Sequence, residues 1–424
     1  MDKVLILVAI FIILMLLHVP IAVSMALSSV VGFLMIGYNL DTVGSTMYTA
    51  VASTSMITIP GYIFAGAVMA NGGISKYLLD ALRAWMGNIP GGIAIVTVVA
   101  CAIFAAITGS ASATIAAVGG LMIPAMLDSN YEKPFSLGLV ASAGSLGILI
   151  PPSIPMILYT TIAGVSVAKL FAAGMLPGII VVLVFSIYIV LFSIKHKQRG
   201  EKVDHKGRWK KTFKALPAIL LPVGILVSIY TGLMTATETA AAACVYALLV
   251  SAFVYREYSW KKFLEAIRNS TKSTATILLI VTACSMFSTF LTVTRVPHHI
   301  IEAVSRSNLG PIGVVLICEV VLIFQGCFMD GVSIMLIAAP LMVPIVSALG
   351  IDLIQFGVIM TMGIQVGQVT PPVGINVFQV AGMRKESVAS VFKGVMPFLL
   401  LLVAVWMVVT FVPGLTTLAT NLFT

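Results

Sequence analysis

The sequence predicts an all-α polytopic membrane protein, folded as an inverted-topology repeat with two re-entrant hairpins and two broken helices. Three observations support this fold class: an apolar composition, a Gly- and Pro-rich pattern that occurs twice, and one basic loop between the two copies. With 60% hydrophobic and 9% charged residues, the chain has too little polar surface to cover a water-soluble globule. Its apolar runs approach the roughly 20 residues that cross a bilayer as a helix, without the alternation of membrane β-strands.

The spans and their orientation follow from charge. Residues 1–17 are read as the first span rather than a signal peptide, because no small-residue cleavage site follows and apolar sequence resumes at once. The loop 195–214 carries nine of the 24 Lys and Arg residues, and a solvated cytoplasmic loop explains it better than nucleic-acid binding. Counting spans from this loop places all but four basic residues in the cytoplasm, and the exceptions are Lys3, Lys169, Arg295 and Arg306. Both termini are therefore expected outside the cytoplasm.

The two halves of the chain are copies at an offset of 220 residues (371 minus 151). "LMIP" at 121–124 recurs as "LMVP" at 341–344, the Pro-Pro pair at 151 recurs at 371, and "GMLPG" at 174–178 recurs as "GVMPF" at 394–398. Because the first copy starts outside and the second inside, the copies are expected to lie in opposite orientations. Such inverted repeats are typical of secondary transporters.

Each copy contains one apolar stretch that is too long for a single span. Residues 92–127 carry no charge and would form a helix of roughly 50 Å against a hydrocarbon core of about 30 Å. The chain can turn back at Gly109 and the small hydroxyl residues of "ITGSASAT" (107–114), and the second copy at "FQGCFMDGVS" (324–333). We therefore predict two re-entrant hairpins whose tips reach toward the midplane from opposite faces.

A Pro-Pro pair follows each hairpin and is expected to break the next helix near Pro151 and Pro371. Each break leaves carbonyl groups unpaired at one half-helix end and amide groups at the other. The carbonyl oxygens can enclose a hard cation such as Na⁺, while the positive half-helix N-termini attract a carboxylate. The paired breaks therefore predict a cation-coupled anion carrier.

These features divide the chain into five segments. Scaffold spans and an arm helix are expected in 1–91 and again in 215–310, with the amphipathic pattern of 255–272 marking the second arm helix. A hairpin, a broken helix and a span are expected in 92–194 and in 311–424. The cytoplasmic basic loop, 195–214, separates the halves.

Six segments spread over nearly the whole chain carry a family resemblance. They read "VPIAVSMALSS" near the start, "IPGYIFAGAVMANGGI" (59–74), "GSASATIAAVGGLMIPAM" (109–126), "SAGSLGILIPPSIPMILY" (142–159), "TGLMTATETAAAACVYAL" (231–248) and "VGQVTPPVGINVF" (366–378). In these segments the chain resembles the large membrane subunit of a TRAP transporter, of the DctM or SiaM type. The resemblance implies an elevator-type fold in a bacterial inner membrane with both termini periplasmic, sodium as the coupling ion and no organic cofactor. It also implies a small integral membrane subunit and a periplasmic binding protein that delivers an organic acid, sialic acid before C4-dicarboxylate.

The resemblance, transferred residue by residue, implies two sodium sites. The first comprises a hairpin tip and a break: Ser110, Ser112, Thr114, Gly144, Gly147 and Pro151. The second comprises the matching elements of the other copy: Gly326, Asp330, Gly331, Gly367, Thr370 and Pro372. Candidates for contact with the substrate are Arg295, Ser153 and Asn376. Small residues also mediate close helix contacts in lipid, so packing is the alternative explanation of these positions.

Four charged residues are expected at membrane depth. Two alternative roles can be named for each of three of them, and none for the fourth. Asp330 is an ion ligand or a cap of the hairpin tip, and Arg295 contacts the substrate carboxylate or marks the outer boundary beside Pro297. Glu238 fits a capping box with Thr235 better than an ion relay. The sequence suggests no partner for Glu319.

Two other classes of function remain as alternatives. An autonomous sodium- or proton-coupled carboxylate carrier would share the inverted hairpins but need no binding protein. An intramembrane enzyme would need clustered metal ligands or a nucleophile beside its base, and the sequence shows no convincing set. We therefore expect a transporter rather than an enzyme, with Na⁺ as the only metal, membrane lipids around it and no nucleic acid as partner.

Overall fold

The computed structural model describes residues 2–71, 74–86, 88–196, 198, 207–306 and 309–423. These residues form twenty α-helices and no β-strand. Of the basic loop expected at 195–214, residues 197 and 199–206 lie outside the described residues. By length and composition, eight described helices can cross a membrane, or nine if a bent pair of helices counts as one span. The chain is therefore a multi-pass membrane protein.

The first half contains ten helices. They are α1 Asp2–Leu16, α2 Ile21–Met35, α3 Leu40–Val51, α4 Thr54–Asn71, α5 Ile74–Met86, α6 Gly92–Thr108, α7 Ala111–Asp128, α8 Lys133–Gly144, α9 Ile154–Ala163 and α10 Val167–Lys195. A short 3₁₀-helix, Ser145–Ile148, continues α8 toward the first Pro-Pro pair.

The second half contains ten more. They are α11 Arg208–Tyr230, α12 Ala236–Leu249, α13 Trp260–Val293, α14 Val296–Arg306, α15 Pro311–Phe328, α16 Gly331–Ala348, α17 Leu353–Gly367, α18 Ile375–Arg384, α19 Val388–Phe411 and α20 Gly414–Phe423. Adding 220 to the bounds of α7 gives those of α16 (111 + 220 = 331; 128 + 220 = 348). The starts of α5, α6, α8, α9 and α10 match those of α14, α15, α17, α18 and α19 within about two residues at the same offset. The structure therefore contains the repeat that the sequence motifs indicate.

The copies differ clearly at α3 and α4. In the first half, α3 and α4 are bent by 54° at a break, whereas the matching residues of the second half form the single 34-residue helix α13. Residues 260–272 of the segment expected as the second arm helix, 255–272, form the first turns of α13. No Gly or Pro lies between Trp260 and Val293 to interrupt that helix. The amphipathic helix that corresponds to α5 is α14 instead.

The helices pack as two bodies, each with elements from both halves. In the scaffold body, α4 packs on α12 and α13 packs on α2 and α4; Gly61 faces Ala240, and the hydroxyl groups of Thr58 and Thr237 lie 2.9 Å apart. In the second body, α8 packs on α19 and α17 packs on α15 and α19. The α8–α19 contact is so close that a Cβ on Gly394 would lie 1.7 Å from the carbonyl oxygen of Pro134. We call the second body, α6–α10 with α15–α20, the hairpin body. We call the helices of the first body, α2, α3, α4, α12 and α13, the scaffold helices.

Candidate functional site

The tip of the first hairpin lies against the first break. The helix α6 ends at Thr108, and Gly109 turns the chain with φ +61° before α7 begins at Ala111. The amide of Ile154, just past the Pro-Pro pair, donates to the carbonyl oxygen of Gly109 at 3.3 Å. A Cβ on Gly147 would lie 2.4 Å from the carbonyl oxygen of Ser110. Only glycine at position 147 therefore lets the broken helix approach the tip backbone this closely.

The second hairpin repeats this arrangement. Its tip separates α15, which ends at Phe328, from α16, and a Cβ on Gly326 would lie 2.5 Å from the Cα atom of Gly367 at the end of α17. The amide of Gly374, beyond the second Pro-Pro pair, donates to the carbonyl oxygen of Cys327 at 3.0 Å. Both Pro-Pro bonds are cis. Each copy thus brings a tip and a break into close backbone contact.

Each tip also contacts the half-helix that follows the break of the other copy. The side-chain amide of Gln379 on α18 donates to the carbonyl oxygen of Ser112 at the first tip, with a distance of 2.7 Å. A Cβ on Gly331 at the second tip would lie 3.7 Å from Cγ of Pro155 on α9. The residues of the two predicted sites therefore lie close together in one arrangement, rather than at separate places in the molecule.

A cavity of about 330 Å³ lies between the two tips. Its wall combines both tips, the start of α9, the end of α17 and one face of α13: Gly109, Ser110, Ala111, Ser112, Ile148, Ile154, Pro155, Lys272, Ser273, Thr276, Ile277, Asp330, Gly331, Val332 and Gln368. A second cavity of about 400 Å³ continues from it between the first hairpin and the scaffold helices α4 and α13. This is the size of site that a small organic molecule occupies.

The two tips have different chemistry. Asp330 caps α16: one carboxylate oxygen accepts from the amides of Val332 (3.0 Å) and Ser333 (3.2 Å), and the other from the hydroxyl of Ser333. Ser110 occupies the matching position but makes no side-chain cap for α7; its carbonyl accepts from the hydroxyl of Thr114 at 2.9 Å. The first turn of α7, which lines the cavity at Ala111 and Ser112, therefore has no side-chain acceptor of this kind, whereas the amides that begin α16 are already paired with a carboxylate.

Three predicted substrate contacts lie away from the cavity wall. Ser153 is fully buried; its hydroxyl donates to the carbonyl of Ile148 and accepts from the amide of Met156, so it caps α9. Asn376 is buried, and neither polar atom of its side chain has a hydrogen-bond partner among the described residues. Arg295 lies in the turn after α13 with φ +54°, about 35 Å along the chain from Lys272 at 1.5 Å per residue. Its position fits the alternative reading, a marker of the helix boundary.

The remaining predicted positions support the breaks. Gly144 is packed against the first hairpin, because a Cβ on Gly144 would lie 2.2 Å from Cγ1 of Ile115. The hydroxyl of Thr370 donates to the carbonyl oxygen of Val366 at 2.7 Å. Pro151 and Pro372 belong to the two cis pairs. These residues shape the site through backbone geometry, which is also what the packing alternative predicts.

Two charged residues outside the cavity have structural partners. The capping box of Thr235 and Glu238 is confirmed, with both reciprocal hydrogen bonds formed. Glu319 on α15, for which the sequence suggested no partner, accepts a hydrogen bond from the hydroxyl of Thr410 on α19. Among the described residues no cluster of His, Cys, Asp or Glu could hold a metal ion.

Sequence reasoning missed two kinds of site residue. Lys272 was assigned to a cytoplasmic amphipathic segment, yet it lines the cavity together with both tips. Gln368 and Gln379 belong to the second break and its following half-helix, and each has a buried side-chain oxygen without a partner among the described residues. The polar run "STKST" (270–274) inside a long helix was the available signal for Lys272.

Comparison with known proteins gives the family. Residues 8–415 match the family model described as the tripartite ATP-independent periplasmic transporter, DctM component. The chain is 37% identical over 361 residues to the C4-dicarboxylate TRAP transporter large permease protein DctM of Pseudomonas aeruginosa, with 85% of this chain and 84% of that protein covered. It is 34% identical over 406 residues to the ectoine TRAP transporter large permease protein TeaC of Halomonas elongata, with 94% of each covered.

A third relative is longer than this chain. The chain is 36% identical over 403 residues to the isethionate TRAP transporter permease protein DctMQ of Oleidesulfovibrio alaskensis; the match covers 94% of this chain but 63% of that protein. Among solved structures, the Alcanivorax borkumensis YdaH transporter aligns with a TM-score of 0.65 at 14% identity, over 88% of this chain and 87% of its own. At that identity the likeness shows the fold alone. The family match and these relatives show a transporter permease, not an enzyme: the chain belongs to the DctM component family of the tripartite ATP-independent periplasmic (TRAP) transporters.

Proposed function

We propose that this chain is the large membrane subunit of a sodium-coupled, binding-protein-dependent importer of an organic acid anion. The observation that supports it best is the cavity whose wall contains residues of both hairpin tips and both broken helices. Its partners would be a small integral membrane subunit and a periplasmic substrate-binding protein. The complex would lie in the bacterial inner membrane with both termini of this chain periplasmic.

The backbone geometry at the tips and breaks supports the proposal of sodium coupling. At each tip and break, Gly147 against Ser110 and Gly326 against Gly367, the absence of a side chain lets carbonyl-bearing backbone segments converge. A hard monovalent cation is held well by several such oxygens without a formal negative charge. The proposal assigns one Na⁺ to each tip–break pair, so that ion binding and tip position depend on each other.

The substrate class follows from the uncapped first tip and from the relatives. The amides at the start of α7 favour an anionic group in the cavity. The names of the relatives mention C4-dicarboxylate and isethionate, both anions, and ectoine, a zwitterion with a carboxylate. We therefore place C4-dicarboxylates first, and the sialic acid expected from the sequence becomes one of the compounds to be tested.

An elevator movement is the proposed transport step. The scaffold helix α4 contributes three small residues to the wall that the second cavity shares with the first hairpin: Gly66, Ala67 and Ala70. An ideal Cβ on Gly66 would lie 3.2 Å from Cα of Thr108. Small side chains let two helical surfaces slide past each other without interlocking. The hairpin body would carry sodium and substrate together past the scaffold.

The alternative is an autonomous sodium- or proton-coupled carboxylate carrier. Proteoliposomes that contain this chain and its small subunit, with the binding protein outside, separate the two functions. We expect uptake of radiolabelled succinate, 2-hydroxyethanesulfonate, ectoine or N-acetylneuraminate that requires both an inward sodium gradient and the binding protein. Full uptake by this chain alone would instead establish the autonomous carrier.

A further inference from the structure

Lys272 contributes a positive charge to the cavity. It lies twelve residues after the first residue of α13 (272 minus 260) and lines the cavity together with Ser273 and Thr276 from the same helix. Among the described residues, no carboxylate forms a salt bridge with its ammonium group. A lysine that faces a site shared by both hairpin tips, without an acidic partner, has its charge available for a ligand.

Asp330 is the other charged residue in the wall of this cavity, but its charge is already used. Its Oδ2 accepts from the amides of Val332 and Ser333 at the start of α16, and its Oδ1 accepts from the hydroxyl of Ser333. The positive end of that helix thus compensates the carboxylate. At the matching position the first tip has Ser110 rather than a carboxylate, and α7 has no side-chain cap. The carboxylate of Asp330 therefore compensates the N-terminus of α16. Within the part of the chain that the structure describes, the cavity wall contains no second carboxylate that could compensate the N-terminus of α7 or the charge of Lys272.

We propose that Lys272 binds the acidic group of the substrate, so that the scaffold helix α13 provides part of the substrate site. This inference rests on the proposed function and deepens it by naming a residue for substrate recognition. An ammonium group is a compact charge with three rotatable donors, so it binds a carboxylate or a sulfonate without the fixed geometry that Arg demands. The same lysine thus serves succinate, 2-hydroxyethanesulfonate or N-acetylneuraminate.

The place of Lys272 in the fold adds a directional consequence. The helix α13 packs on the scaffold helices α2, α3 and α4, whereas the tips belong to the hairpin body. If the hairpin body moves, Lys272 contacts the substrate only in the position described here, with the tips beside α13. A contact made in one state alone changes the affinity of that state and leaves the other unchanged. Lys272 therefore biases where the substrate is held.

The test compares three variants in the purified complex with its small subunit. Lys272→Gln removes the charge, Lys272→Arg retains it, and Lys261→Gln removes an exposed lysine about 16 Å away on the same helix. Equilibrium binding of radiolabelled succinate, 2-hydroxyethanesulfonate, N-acetylneuraminate and ectoine is measured in sodium, together with uptake at a fixed concentration of loaded binding protein. For the compound that the wild type takes up, we expect Lys272→Gln to raise Kd about five- to tenfold and to slow uptake. Lys272→Arg should raise Kd less than Lys272→Gln does, because it retains the positive charge but presents it with a different geometry.

The controls separate this inference from the proposed function. Lys261→Gln should match the wild type, and all variants should keep the wild-type thermal stability in sodium, which excludes a merely structural effect. If the wild type takes up substrate and Lys272→Gln binds and transports it equally well, the role of Lys272 is overturned. The proposed function then remains intact. Absence of sodium- and binding-protein-dependent uptake of all four compounds by the wild type would overturn the proposed function, and this inference with it.

Discussion

Replacing Gly147 by alanine should disable the first sodium site without unfolding the protein. The new Cβ would lie 2.4 Å from the carbonyl oxygen of Ser110, whereas ordinary contacts begin near 3.4 Å. The tip must therefore withdraw by about 1 Å (3.4 minus 2.4). A hard cation binds oxygens at about 2.4 Å, so a shift of this size removes one ligand. If that ligand contributes as much as a hydrogen bond to a charged group, about 1.5–3 kcal/mol, sodium affinity falls roughly 10- to 100-fold.

The assay is the sodium-dependent rise in melting temperature of the purified complex, which reports ion affinity through mass action. Gly120→Ala is the matched control, because it lies on α7 of the same hairpin and nothing lies within 4 Å of its ideal Cβ position. We expect the sodium titration midpoint to shift for Gly147→Ala and to stay unchanged for Gly120→Ala. A wild-type sodium titration in Gly147→Ala would refute the reasoning that tip and break form the ion site.

Three further predictions concern single contacts. Asp330→Ala should lower the free energy of unfolding by about 1 kcal/mol through loss of the helix cap, and Asp330→Asn should cost less; equal losses in thermal unfolding would argue against a capping role. Thr410→Val leaves Glu319 without its donor and should cost about 1–3 kcal/mol, whereas Thr410→Ser should stay near the wild type; identical melting temperatures would contradict the pair. Gly394→Ala should prevent a monodisperse preparation in size-exclusion chromatography, because its Cβ would lie 1.7 Å from a backbone oxygen, whereas Gly382→Ala, with nothing within 4 Å, should behave normally; a normal profile for Gly394→Ala would contradict the α8–α19 packing.

Much of the fold was predictable because Gly and Pro act locally. The overlong apolar stretch at 92–127 had to turn, and its best turning point, Gly109, adopts φ +61° in the structure. The Pro-Pro pairs had to interrupt their helices, since proline lacks an amide donor. The constant offset of 220 residues then transferred each element to the other half. The continuation of this segment into the long helix α13 was not predictable, because amphipathicity at 255–272 describes one exposed face and does not show where a helix ends.

The site was less predictable, since it depends on which elements meet. Gln379 contacts the first tip although 267 residues separate it from Ser112, and no local pattern encodes that pair. Lys272 read as a cytoplasmic residue because its neighbours before 270 are basic and aromatic. Arg295 attracted attention as a charge beside an apolar span, yet it lies in a turn at the helix end. Only the packing of α13 against the hairpin body distinguishes these two cations.

The central claim is that each hairpin tip and its broken helix hold one sodium ion. Cryo-electron microscopy of the complete complex, with maps from matched preparations in sodium and in potassium chloride, tests it most directly. The account predicts two sodium-dependent densities, one bounded by the backbone of Ser110 and Gly147 and the other by that of Gly326 and Gly367. Maps that are identical in the two salts, or sodium-dependent densities away from both tips, would contradict it.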